Sequence, residues 1–115
     1  MAGFSDALYN EMLAVFAGEA SVTSLHSDDP GDNGSHELTG GGYTRAAVTW
    51  STPSNGAVTA TTTLEFDVPS ATLVSHVGFW DSSDTWLGSV ELAEPELFTG
   101  AGSIELDPVT ISLDN

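Results

Sequence analysis

Neither lysine nor cysteine occurs in these 115 residues, and arginine occurs once, at Arg45. Without cysteine there is no disulfide framework and no thiol chemistry, so stability has to come from packing and from association with other chains. With a single cationic side chain there is no basic patch to neutralise phosphates, which excludes nucleic acid and anionic membranes as partners. No apolar run approaches the roughly 18 residues of a membrane span, and the opening Met-Ala-Gly-Phe-Ser-Asp has no basic flank of the signal-peptide kind. Neither membrane insertion nor a signal peptide is therefore expected. Counter-charge is also missing: Asp and Glu number 17, and the net charge is −16. At ordinary ionic strength those carboxylates repel one another and oppose a compact state, whereas at molar salt the Debye length falls to about 3 Å. The composition is of the halophile type, and high salt is expected to be needed for stability. An acidic disordered tail is excluded, because 40% of the residues are hydrophobic and charged residues make up only 16%.

What is present reads as one small domain. Phe4, Leu8, Met12, Val15 and Phe16 recur at helical spacing, Ser5 and Asp6 suit a helix start, and Gly18 suits its stop. Residues 1–19 are thus expected to form an amphipathic helix packing on or beside the remainder. From Ala20 onward the period is two, clearest in Val58, Ala60, Thr62, Leu64, Phe66 and Val68. Further strand-like runs are 21–26, 43–51, 72–80, 86–93 and 103–113, the last broken or bent at Pro108. Turn chemistry separates them at Pro30-Gly31, Gly40 to Gly42, Pro53 to Gly56, Asp81 to Asp84 and Gly100 to Gly102. The expected fold is mainly β, an antiparallel β-sandwich or jelly roll of about six to eight strands over residues 20–115, behind one N-terminal helix. Residues 27–42 lack periodicity and read as an acidic, glycine-rich surface loop.

Few residues point to chemistry. Asp28, Asp29, Asp32 and Glu37 offer hard oxygen ligands suited to Ca²⁺ or another cation, but their spacing departs from the EF-hand, and composition alone produces such a cluster. A solvated acidic loop is the plainer reading, and no cofactor is expected. His26, His36 and His76 lack paired zinc-ligand spacing, and no Gly-x-Ser-x-Gly elbow is present. Seventeen acids make any carboxylate pair uninformative for glycoside hydrolysis, so no enzyme is expected. Trp50, Trp80 and Trp86, with Tyr43, could line a sugar-binding face. Trp80 and Trp86 instead flank the turn at 81–85, where two aromatics pair across a hairpin or enter an interface. Arg45, retained in a composition hostile to cations, suits a bidentate carboxylate pair that fixes a loop or a subunit contact.

The run Ser24-Leu25-His26-Ser27-Asp28-Asp29-Pro30-Gly31, followed by Glu37, Gly40 to Gly42, Tyr43, Arg45 and Ala46 to Val48, resembles a family of small tailed-phage virion proteins. Val77-Gly78-Phe79-Trp80-Asp81 with Leu87-Gly88 is similar to the same family's glycine and tryptophan hairpin. Members are labelled tail-fibre-like or minor virion proteins, and the similarity runs from about Phe4 to Leu113. Ser27 and Asp28 make the loop more polar than in the family pattern, and Trp50 stands where a smaller aromatic is expected. The resemblance implies a non-enzymatic virion structural protein on the particle exterior. A capsid-surface decoration or turret subunit is expected first, a tail-fibre or tail-tip component next, and a carbohydrate- or receptor-binding β-module is the alternative. The implied partners are the major capsid protein or tail proteins, further copies of the chain as a homo-oligomer (a trimer is compatible), and a host surface glycan or receptor. Arg45, Tyr43, Phe79, Trp80 and Trp86 are the expected structural or interface residues. Together with the charge, the resemblance points to a virus of a salt-loving, archaeal host.

Overall fold

Ser5 opens the only helix among the described residues. Its Oγ accepts a hydrogen bond from the Leu8 amide at 3.2 Å, which satisfies one of the free N–H groups of the first turn. The computed structural model describes residues 5–61, 63–106 and 110–112. Helix α1 spans Asp6–Glu19. The stop expected at Gly18 is not used: the Ala20 amide still reaches the Phe16 carbonyl at 2.8 Å, and the chain then leaves in an extended conformation that needs no left-handed residue. The apolar face also differs from expectation. Tyr9 and Leu13 are buried and Phe16 is half-buried, whereas Leu8, Met12 and Val15 face solvent; Phe4 lies outside the described residues. Two apolar stripes compete for the domain. The one carrying Phe16 wins, because that ring meets Trp50 and Phe79 edge-on at 5.2 and 5.4 Å.

Among the described residues eight strands follow: β1 Val22–His26, β2 Ala46–Ala47, β3 Ala57–Thr59, β4 Leu64–Val68, β5 Thr72–Trp80, β6 Trp86–Phe98, β7 Gly102–Leu106 and β8 Thr110–Ser112. All pairings are antiparallel, in a four-stranded sheet ordered β2-β1-β5-β6 and the ribbons β3-β8 and β4-β7. Of the two architectures expected, this is sandwich-like. The strands are not divided into the paired four-stranded sheets of a jelly roll.

The single run expected over 58–68 is split, because β3 pairs with β8 and β4 with β7. Its alternation nonetheless persists across the change of partner: Val58, Ala60, Leu64, Phe66 and Val68 are all buried. The run expected over 43–51 contributes only two ladder residues, with an isolated bridge from Trp50 to Ala60. Strand β6 runs five residues past Ala93 in spite of Pro95, since it is an edge strand and the register jumps there. Val74 pairs with Glu96 and His76 with Glu91, so the proline falls in an irregularity where no ladder N–H is required. The bend expected at Pro108 lies outside the described residues.

Strands β5 and β6 continue into β4 and β7. Thr72 pairs with Phe98 and Val68 with Gly102, so one long ribbon folds over at residues 69–71 and 99–101. Folding the ribbon brings Leu64, Phe66, Val68 and Ile104 into one buried cluster with Leu25, Val77 and Phe79 of the central sheet. Burying a side chain of the size of Phe79 stabilises the fold by about 1.5–3 kcal/mol.

Candidate functional site

Strand β1 is closed on both sides, and its two faces carry different chemistry. Registers Val22 to Trp80, Ser24 to Gly78 and His26 to His76 place Ser24, His26, Gly78 and Trp80 on one face, while Leu25, Val77 and Phe79 point into the core. Ser24 and His26 are 0% exposed, although no apolar sheet covers them. The cover is the loop 27–42. A Cβ added at Gly34 would come within 2.7 Å of the Trp80 ring and 2.8 Å of the Trp86 ring, so the loop backbone lies directly on the two tryptophans. Gly34 also has φ +77, a conformation that glycine adopts without steric cost. From the sheet side, a Cβ at Gly78 would come within 2.6 Å of His26 Nε2, Ser24 Oγ and Trp86. Two glycines therefore admit two tryptophans, which meet edge-on at 5.0 Å.

The hydrogen bonds at this face fix one order of protons. His26 Nδ1 lies 2.8 Å from the Ser35 carbonyl, which only accepts, so Nδ1 carries the hydrogen. With the ring neutral, Nε2 accepts from Ser24 Oγ at 2.6 Å, and Ser24 Oγ in turn accepts from Trp80 Nε1 at 2.8 Å. Every group then has its partner. Protonating His26 would oblige Nε2 to donate as well, leaving the buried Ser24 hydroxyl hydrogen without this acceptor. Burial lowers the His26 pKa from its ordinary 6.5, against the opposing pull of the Ser35 carbonyl and the Glu37 carboxylate. His76 and Arg45 act with burial.

At the rim, two of the residues expected to matter, Tyr43 and Arg45, converge on Glu37. Arg45 donates from Nε to Oε2 at 3.0 Å and from Nη2 to Oε1 at 2.9 Å, a two-point grip on the carboxylate. Tyr43 donates to Oε2 at 2.8 Å while its own oxygen accepts from the Leu25 amide at 3.0 Å. The guanidinium carbon lies 3.8 Å above the Trp80 ring, and Nη1 reaches the exposed Asp84 at 3.4 Å. Burial alone would raise the Glu37 pKa, but its bonds to Arg45 and Tyr43 outweigh it and hold the carboxyl below 4.5. Burial, aided by the neighbouring carboxylate, holds the Tyr43 phenol above its ordinary range. The bond to Glu37 raises the Arg45 pKa.

The remaining candidates are dispersed. Asp28 Oδ1 accepts from the Asp29 amide at 2.8 Å and Asp29 Oδ1 from the Gly31 amide at 2.9 Å, so both acids shape the loop locally. Glu37 is committed to Arg45 and Tyr43 and does not join Asp28, Asp29 and Asp32. Among the described residues no group of three His, Asp or Glu side chains is placed to hold a metal ion. His36 sits in the loop with φ +66. Of the four rings that could line a sugar-binding face, Trp80 is 8% exposed and capped by Arg45, Trp50 donates from Nε1 to the Ala20 carbonyl at 2.9 Å, and Tyr43 and Trp86 are half-buried. An open cleft of about 260 Å³ lies beside Glu37, between Thr39 and the β4–β5 corner at Pro69 and Ala71.

Ser24, His26, Gly34 and Gly78 complete a site of which the sequence had shown only the rim. Their one signal is two polar residues, two apart, in a short strand otherwise suited to the interior. The Ser24–His26 pair has the spacing of a nucleophile and its base, yet both are sealed under Trp80, Trp86 and the loop, so no substrate atom reaches Oγ. Among the described residues no buried side-chain nitrogen or oxygen lacks a hydrogen-bond partner.

Fold and site together describe a mainly β module in which Arg45, His26, Trp80 and Trp86 fasten one loop onto the sheet. The chain belongs to the family described as podophage GP4 fiber I protein gp80, whose model it matches over residues 3–111. No curated protein and no solved structure matches it. It is thus a member of a family of phage fibre proteins.

Proposed function

We propose that this chain is a non-enzymatic structural subunit on the exterior of a tailed-phage particle, a fibre component that presents a β-module with the N-terminal helix beside it. The family match over almost the whole chain is the observation that carries this reading. The sealed Ser24–His26 pair agrees with a role without catalysis. A capsid-surface decoration or turret subunit is the second reading. It is favoured by size, since the described chain measures 45 × 27 × 26 Å, the dimensions of a module mounted on something larger rather than of a shaft. Either role would bring the chain into contact with tail or capsid proteins and with further copies of itself.

Copy number in purified particles, measured by quantitative mass spectrometry against the major capsid protein, separates the two. A few copies per particle fit a fibre, and a ratio comparable to the capsid protein fits a decoration. Absence from particles would overturn both.

We also propose that the particle is suited to brine, as for a virus of a halophilic, archaeal host. The support is the net charge of −16 against a single arginine that is already paired. Circular dichroism during dialysis from molar to millimolar salt is expected to show unfolding, and a fold retained in dilute buffer would contradict this.

A further inference from the structure

The outer face of α1 is the part of the described surface that least fits its surroundings. Leu8, Met12 and Val15, four and three residues apart on one side of the helix, are 40%, 48% and 67% exposed. Ala7, Ala14 and Gly18 are exposed next to them, and a side chain added at Gly18 would meet nothing within 4 Å. The core does not need this stripe, since the opposite face already anchors the helix through Tyr9, Leu13 and the Phe16 contacts. Glu11, one turn from both Leu8 and Val15, borders the stripe, and Glu19 ends it; both are exposed.

Building on the particle-subunit reading above, we infer that this face docks into an apolar groove rimmed by Lys or Arg on another structural protein of the particle. Charge selects the occupant. The only Lys or Arg of the chain is held by Glu37 and Asp84, so a second copy would bring no free side chain of that kind to the Glu11 and Glu19 margin. Area points the same way. Three partly exposed side chains on one face fall well short of the roughly 1,000 Å² that a self-standing protein contact needs. A groove encloses a helix on more than one side, and the small Ala7, Ala14 and Gly18 let its walls approach closely.

The test compares particles carrying wild-type chain, Met12→Asp, Val15→Ser, or the double variant Glu11→Lys with Glu19→Lys, each scored by copy number per particle and by the melting temperature of the isolated protein in molar salt. All three variants are expected to melt like the wild type, because the altered side chains face solvent. Met12→Asp is expected to lower incorporation by about tenfold or more, Val15→Ser by less, and the charge reversal by several-fold. Val15→Ser keeps the test decisive if Met12→Asp fails to fold. Normal incorporation of the apolar variants would overturn the inference. So would a charge reversal that raises incorporation or drives self-association in sedimentation, since that result names a second copy as the occupant. If wild-type chain is itself missing from particles, the particle-subunit reading falls and this inference with it.

Discussion

The two faces of strand β1 at the centre of the sheet are both dry, and they are kept dry by different means. On the core face Leu25, Val77 and Phe79 meet side chains of the β4–β7 ribbon, and the contact is apolar throughout. On the other face Ser24, His26, Trp80 and Trp86 lie under a loop, joined to it by a chain of hydrogen bonds that ends at the Ser35 carbonyl. An apolar face tolerates small shifts, because dispersion and area are nearly non-directional. A buried polar chain does not, because each member left unpaired costs about 1–3 kcal/mol. The core face therefore supplies most of the stability, and the loop face makes the placement of residues 27–42 all-or-none.

Substitutions should expose that difference. Phe79→Ala on the core face is expected to cost about 3–5 kcal/mol in denaturant titrations at molar salt, a large part of a small domain's stability. Gly78→Ala, its neighbour on the opposite face, adds one methyl where Ser24, His26 and Trp86 leave no room, and should cost about 1–3 kcal/mol. Its mark is a change in the fluorescence of Trp80 and Trp86 that Phe79→Ala does not share, read in both variants with Trp50, whose ring lies 5.9 Å from that of Phe79, replaced by Phe.

Removing Arg45 tests the rim. Arg45→Gln leaves Glu37 half-buried without its two-point partner, and about 1–2 kcal/mol is expected, reduced by the solvent that reaches both side chains. Adding Glu37→Gln should recover part of that loss, and a double-mutant cycle measures the coupling. A coupling near zero would make the pair a surface ornament.

The smallest effect expected is on pH. The folded-state pKa of His26 lies below its unfolded value of 6.5, so the stability linked to the neutral ring is present above pH 6.5 and is lost as pH falls from there towards the folded value. The slope is at most about 1.4 kcal/mol per pH unit for one proton. Glu37, lowered from 4.5, adds a second loss as pH falls below 4.5 through its folded value. His26→Gln should flatten the first window and leave the second. Denaturant midpoints between pH 7.5 and 3.5 give both.

The contrast between the faces also explains what could be read from sequence. Period-two burial follows from side-chain geometry alone, so Val58 to Val68 declared their inward face even though the strand changes partner at its middle. The helix start was legible in Ser5 and Asp6, but its inward face was not. Both stripes of α1 are apolar, and only the position of Trp50 and Phe79 decides which one docks. Composition implied a carboxylate for Arg45 without saying which of 17. Glu37 is selected by the way the loop folds back, pairing with His26 across an isolated bridge. Least visible was the lock itself. Ser24, His26, Gly34 and Gly78 are ordinary residue types, and their connection exists only once Trp80 and Trp86 lie against the loop.

Hydrogen exchange at the Trp80 indole tests this account most directly, because that N–H donates to Ser24 beneath the loop and has no part in the sheet ladder. In molar salt at neutral pH it is expected to exchange as slowly as the amides of β5, and to exchange faster in His26→Gln while the β5 amides stay slow. An indole that exchanges at the rate of an open loop in the wild-type protein would contradict the claim that residues 27–42 are locked onto the sheet.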